Sequence, residues 1–433
     1  MVIVRGALTR APSFFRVLLN EPIDVKQKRF FRVMPRMTGL MIVLLAIEFL
    51  DEFVFGIREA GWPLIRDDLD LSYAQIGILL SLPRLLSSVV EPPIGILGDV
   101  WKRRWLILSG GVVFVAALVL ISASQSFLYL LVAFILFYPA SGAFVNLSQA
   151  TLMDSETDRH EQNMARWGFA GSLGVVLGAA VLGGAVLLGV GWRVLFLSSG
   201  VATVFVLVVA RGMPLGGDSG IGQSGAMAKD LKQGIFDALR TLKKFPVLRW
   251  LVLLEFSDLM LDGLHGYLAL YFVDVVGTAP ANAAMGVAVW TGVGLVGDVL
   301  LIPLLERVRG LTYLRFSAAA ELLLYPAFLL APGLWPKLVI VGVLGFANAG
   351  WYSVLKGKLY SSMPGQSGAV MAVGDVSALF GGLIPLGIGI AARTWGLGAA
   401  MWLLLAGPVA LLVGIPRQRK LASGPMFTIF RAL

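Results

Sequence analysis

Leu45 to Gly56 reads L-A-I-E-F-L-D-E-F-V-F-G, which sets three carboxylates, Glu48, Asp51 and Glu52, inside an apolar run long enough to cross a bilayer. A charge at the centre of a spanning helix costs roughly 2.5 to 3.5 kcal/mol on insertion scales, so acids at that depth face a cavity, pair with another group or titrate. The pattern returns at Leu254 to Gly263, L-E-F-S-D-L-M-L-D-G. Glu255 follows Glu48 by 207 positions, and Asp258 follows Asp51 by the same 207.

The offset extends outward from these two stretches. It pairs Phe49 with Phe256, Gly56 with Gly263, Glu91 with Asp298 and Asp99 with Glu306. A parallel duplication of a six-helix unit explains this register most economically.

Composition agrees with a membrane chain. The 433 residues are 58% hydrophobic and 14% charged, against about 25% charged in a soluble domain. The apolar runs are continuous rather than alternating, which argues for helices and against a β-barrel. The net charge of +9 falls in particular loops, so it reports topology and not a nucleic-acid partner. Zero cysteines exclude disulfides, Cys-ligated metals and thiol catalysis, and two histidines, His160 and His265, make a multi-histidine centre improbable. With no nucleophile, phosphate-loop or cofactor motif, no enzyme activity and no cofactor is expected.

Apolar runs predict twelve spans, beginning near residues 38, 72, 105, 127, 166, 192, 248, 283, 312, 337, 367 and 396. Lys102, Arg103 and Arg104 follow span two, Arg307 and Arg309 follow span eight, and Lys229, Lys232, Arg240, Lys243 and Lys244 lie between six and seven. The positive-inside rule places these loops and both termini in the cytoplasm of a multi-pass cell (inner or plasma) membrane protein. The segment after span one, with Arg58, Glu59, Arg66, Asp67, Asp68 and Asp70, reads as an outer loop. The expected organisation is a basic interfacial segment over 1–37, a six-helix bundle over 38–212, a linker with an amphipathic helix over 213–247, a second bundle over 248–416 and a tail over 417–433. The basic segment reaches the first span without a cleavage-type sequence.

After span two the chain reads G-I-L-G-D-V-W-K-R-R-W, from Gly95 to Trp105. A carboxylate ending a helix beside clustered arginines can form a latch that breaks when the bundles move. This stretch resembles the signature loop of the major facilitator superfamily, Gly-x-Leu-Ala-Asp-Arg-x-Gly-Arg-Arg/Lys, with Gly95, Leu97, Asp99, Arg103 and Arg104 in place. Gly98, Val100 and Lys102 depart from it. A weaker copy, P-L-L-E-R-V-R-G from Pro303 to Gly310, contains Glu306 and Arg307. The glycine-rich run Gly171 to Gly184 resembles the motif of that superfamily's drug/proton antiporters, with Ala179 where the proline stands. A face for close helix packing is the competing reading. Asp70 to Gly98 is similar to the fosmidomycin-resistance-like branch of efflux carriers.

The resemblance implies an all-α fold of two pseudo-symmetric six-helix halves and secondary active transport by rocker-switch alternating access, with spans one and seven lining the central path. Residues 48, 51, 52 and 55 share one helical face, as do Glu255, Asp258, Asp262 and His265. The expected coupling and substrate residues are Glu48, Asp51, Glu255, Asp258, Asp262, His265 and Arg84, with Glu52 ranked below them. Tyr138, Asn146, Gln149, Trp290, Asn348, Trp351, Tyr352 and Asp375 are expected to line the cavity, beside an inner-end Lys356. Crowded carboxylates can carry protons, which points to proton-coupled efflux of a cationic or amphiphilic small molecule by a monomer in the lipid bilayer. Alternatives are a divalent metal exporter of ferroportin-like logic, using Asp258, Asp262 and His265, and a lipid or metabolite carrier.

Overall fold

The computed structural model describes residues 38–100, 102–155, 160–215, 245–362, 379 and 381–416. It divides into two units, Met1–Ile42 and Val43–Leu433. In the first, the described residues open a helix in which Thr38 Oγ1 accepts from the Met41 amide at 3.2 Å. All that follows concerns the second unit.

Among the described residues there are helices and no strands. They run in order as α1 (Gly39–Leu69), α2 (Tyr73–Val100), α3 (Arg103–Ala123), α4 (Phe127–Ser155), α5 (His160–Leu187) and α6 (Trp192–Ala210). The second set is α7 (Phe245–Asp258, continuing through Leu259–Gly263 to Leu264–Asp274), α8 (Pro280–Arg307), α9 (Gly310–Leu330), α10 (Leu334–Asn348 and Trp351–Ser361), α11 (Ile384–Trp395) and α12 (Leu397–Gly414). The expected starts of the first ten spans and of the twelfth fall within six residues of these helices. The start of span eleven, the linker helix, the basic N-terminal segment, the C-terminal tail and Asp375 lie outside the described residues.

Local chemistry explains several boundaries. Ser72 and Gln75 form a reciprocal cap at the start of α2: Gln75 Oε1 accepts from the Ser72 amide at 2.9 Å, and Ser72 Oγ accepts from the Gln75 amide at 3.3 Å. Pro280 opens α8, where a missing amide proton costs nothing. Nine described helices are long and apolar enough to span a bilayer, and α1 and α7 are not among them. These two carry the acids.

One expectation is corrected here. The charged segment after span one is not a loop until residue 70, because α1 continues to Leu69. Arg58 and Glu59 are therefore inside the bundle, beside the buried Ile57, Trp62 and Ile65. An arginine and a glutamate adjacent in sequence neutralise each other there, which a count of charges cannot distinguish from a solvated turn.

Helices α1 and α5 approach through glycines. A Cβ on Gly178 would lie 2.2 Å from the Phe53 carbonyl oxygen, so any side chain there must part the helices. Between the halves, contact gathers at the end bearing the turns 70–72 and 275–279. There Ser81 Oγ of α2 accepts from the Leu386 amide of α11 at 3.0 Å, Tyr73 OH donates to Asp274 Oδ2 at 2.7 Å, and Arg66 pairs with the same carboxylate. Gly183 of α5 meets Ala281 and Ala284 of α8. Away from that end the halves separate around a cavity.

Substituting Gly178→Val is expected to destabilise the fold by roughly 1–3 kcal/mol through overpacking. Thermal unfolding in detergent tests this, and an unchanged melting temperature would contradict the close α1–α5 contact.

Candidate functional site

Irregular helix geometry builds the site. Helix α7 widens into a π-turn over Leu259–Gly263, which contains Asp262, and α4 does the same over Gly142–Asn146. Such turns recur at functional sites because the extra residue re-aims side chains and frees backbone groups. One freed carbonyl, that of Met260, accepts from Asn348 Nδ2 of α10 at 3.1 Å. Helix α10 breaks at Ala349–Gly350, where Gly350 adopts a φ of +71° and its amide donates to Asp298 Oδ1 of α8 at 3.0 Å. In the first half, Glu91 of α2 meets the α4 π-turn: Glu91 Oε2 accepts from Asn146 Nδ2 at 3.1 Å.

At the centre Arg84 of α2 and Asp262 of α7 form an ion pair across the halves, Nη1 to Oδ2 at 2.6 Å. Their side chains are 37% and 45% exposed, so the pair faces the cavity rather than a dry core. Asp258, one turn earlier on α7, lies within electrostatic reach of Asp262, Arg84, Glu255 and Lys356. Lys356 Nζ itself donates to Tyr352 OH.

The cavity measures about 560 Å³ and is walled by α1, α5, α7, α8 and α10, including Glu52, Phe55, Asp262, His265, Trp290, Asp298, Asn348 and Tyr352. A smaller chamber of about 190 Å³ shares Phe55 and Asp262 with it and is walled also by Arg58, Glu59, Arg84 and Tyr138. In its wall Arg58 pairs with Glu59 at 2.5 Å and donates to Tyr138 OH at 2.6 Å, while Trp62 Nε1 donates to Glu59 Oε2 at 3.3 Å. Both partners are almost fully buried, at 4% and 2% exposed. This cluster was missed in the sequence because its residues read as a loop.

The acid stripe of α1 divides among three neighbours. Glu48 turns to α5, where a Cβ on Gly171 would lie 2.6 Å from its Oε1. Asp51 accepts from Ser141 Oγ of α4 at 2.8 Å. Glu52, ranked lowest from the sequence, is the one of the three that walls the main cavity. Glu255 repeats the arrangement of Glu48, facing Gly381 within its own half. The duplicated pair Glu48 and Glu255 thus lies at contacts within each half and not face to face across a path.

The remaining sites separate similarly. Among the described residues no three His or acidic side chains gather as metal ligands: Asp262 is held by Arg84, and the His265 ring packs between Phe55 at 5.2 Å and Trp290 at 4.9 Å. Trp351 is wholly buried and donates to Ser317 Oγ at 2.8 Å, which makes it core and not lining. Gln149 sits half-buried on α4. Gly95 belongs to α2 near its end. Arg103 donates to the Gly98 carbonyl at 3.2 Å and to Asp154 at 2.5 Å, and Arg104 donates to the Arg211 carbonyl at 2.5 Å. Arg307 is exposed in the last turn of α8. The side chains of Asp99 and Glu306, the acids of the expected latch, lie outside the described residues.

A cavity walled by both halves and crossed by an exposed ion pair lies among helices of which nine described ones are long and apolar enough to span a bilayer, an arrangement that fits a membrane transporter. Residues 41–392 match the Major Facilitator Superfamily, and the chain belongs to that family. It is 24% identical over 373 residues to the fosmidomycin resistance protein of Escherichia coli (strain K12), covering 85% of this chain and 86% of that one. A shorter match, 28% over 96 residues, is to the probable nitrate transporter NarT of Staphylococcus carnosus (strain TM300), covering 22% of this chain and 25% of that one. Its fold resembles a bacterial homolog of the human lysosomal transporter Spinster in an inward-facing and unoccupied conformation, with a TM-score of 0.68 at 17% identity over 88% of this chain and 96% of that one. It also resembles the nucleoside transporter NupG, with a TM-score of 0.69 at 13% identity over 87% and 98% of the two chains.

Removing Arg58 strands Glu59 in an apolar wall. Arg58→Met is expected to cost roughly 3–5 kcal/mol, and adding Glu59→Gln to restore part of it. If unfolding in detergent showed the double variant no more stable than the single, the buried pair would not be an energetic unit.

Proposed function

We propose that the protein exports a cationic or amphiphilic small molecule in exchange for protons, by rocker-switch alternating access. The observation that carries this reading is the exposed Arg84–Asp262 pair, which joins α2 of one half to α7 of the other inside the cavity. An ion pair open to the cavity is easily exchanged, because solvent competes for both partners. A cargo cation or a proton taking Asp262 releases Arg84, and the halves lose a bond that holds them together. Glu52, Asp258 and Asp298 stand near enough to receive what Asp262 gives up or to hold the cation while the halves move. Carboxylates outnumber Arg84 and Lys356 around this space, which favours positive cargo.

The positive-inside rule applied to Lys102, Arg103, Arg104 and Arg307 puts the termini in the cytoplasm, so the closed end faces outward and the cavity inward. Cargo then enters from the cytoplasm, which suits efflux. The latch of Asp99 with the arginines after α2 belongs to this reading as a contact of the opposite state. Similarity to a protein named for fosmidomycin resistance favours efflux as well.

Proteoliposomes with an imposed pH gradient and quaternary ammonium probes provide the test. Wild type should move the probe against its gradient, and Asp258→Asn and Asp262→Asn should lower that flux about 5- to 150-fold while leaving gradient-free exchange measurable. Flux indifferent to the pH gradient, or unaltered in both variants, sinks proton coupling.

A further inference from the structure

Three buried polar atoms without a partner fall on one stretch of the cavity wall: His265 Nε2, Trp290 Nε1 and Asn348 Oδ1. Their residues are 6%, 8% and 4% exposed, and all three wall the main cavity. Buried polar atoms are nearly always paired, so orphans gathered in one cavity mark groups held ready for a ligand. They come from α7, α8 and α10, and the His265 and Trp290 rings touch, with centroids 4.9 Å apart.

The hydrogen-bonding sense of two of them is fixed. An indole nitrogen only donates. Asn348 commits its Nδ2 to the Met260 carbonyl, which leaves Oδ1 as a buried acceptor without a partner. His265 Nε2 serves either sense with a change of tautomer. A wall that offers one fixed donor, one fixed acceptor and one adaptable nitrogen, beside the contacting rings of His265 and Trp290, matches a flat neutral group carrying a carbonyl beside an N–H. It matches neither a bare cation nor a simple alkyl chain.

We propose that His265, Trp290 and Asn348 form a subsite for an amide-type edge on the cargo, separate from the carboxylates that hold its charge. This rests on the reading of the cargo as a cation for its second half only. The amide edge enters beside the His265 and Trp290 rings, accepts from Trp290 and donates to Asn348, and the positive end reaches Glu52 or Asp262 across the same cavity. The subsite selects among cations of equal charge.

Isothermal titration of the full chain in nanodiscs, with three probes, tests this. Carbamoylmethyl-trimethylammonium should bind roughly tenfold more tightly than propyl-trimethylammonium, which has the same charge and similar size but no amide. Trp290→Phe keeps a ring and loses the donor, and it should erase that preference, so that within the variant the amide and propyl probes bind alike. His265→Phe, which keeps an aromatic ring against Phe55, gives a second variant with the same expected loss. Two cations bound alike in wild type, or a preference untouched in both variants, overturns the subsite and leaves the cation reading standing. If neither cation binds but neutral benzamide does, and Trp290→Phe abolishes it, the cation reading fails and the subsite stands. No binding by any of the three overturns both.

Discussion

The structure depends on an ion pair that joins the two halves while staying open to the cavity. Arg84 and Asp262 meet across the two halves at the height of the cavity, each more than a third exposed. Because both side chains keep contact with the cavity, the desolvation that makes a dry pair unfavourable is only partial. Arg58 and Glu59 show the opposite regime one helical turn beyond Phe55, 5% and 3% exposed at the side chain and fastened to Tyr138 and Trp62. The second pair ties the wall of α1 to Tyr138 of α4, whereas the first stays open to the cavity. The proposed rocker-switch cycle uses both, since each half would move as a body while the bond between halves is remade.

Duplication supplies the rigid halves. Helix α4 leaves regular geometry at Gly142 and α10 at Ala349, 207 positions apart. The acids that attend these breaks, Glu91 and Asp298, stand at the same spacing. Each half thus has an irregular fourth helix braced by a carboxylate from its second. Glu48 and Glu255 repeat the theme, each set against a glycine of its own half. What differs between the halves is the π-turn of α7, at Leu259–Gly263, where α1 stays regular. That asymmetry turns Asp262 towards Arg84 and frees the Met260 carbonyl for Asn348.

Much of the fold was legible because insertion into a bilayer leaves a strong mark: long apolar runs, basic loops and an internal repeat each follow from one physical constraint. The site was legible as residues more than as contacts. Arg84, Asp262, His265, Trp290 and Asn348 stand out as polar groups in apolar runs, but the pairing of Arg84 with Asp262 spans 178 positions and follows from no periodicity. A single α-helical face was expected for the α1 acids, whereas they divide between two neighbouring helices and the cavity, because each acid settles on a different partner: a glycine gap on α5, the Ser141 hydroxyl of α4 or the cavity. Arg58 and Glu59 were hidden by their own neutrality. The buried Lys337 was equally silent, since nothing local shows that its ammonium will cap the Phe328 and Leu329 carbonyls at the end of α9.

If Arg84–Asp262 holds the halves together, breaking it should expose the closed end. The chain has no native cysteine, so Ser81→Cys would introduce a lone thiol at a position 1% exposed between α2 and α11. Labelling that thiol with a membrane-impermeant maleimide should be slow in the otherwise native protein and faster by about tenfold, the change expected from roughly 1.4 kcal/mol of lost holding energy, once Asp262→Asn is added. Equal labelling rates with and without that substitution would contradict the account.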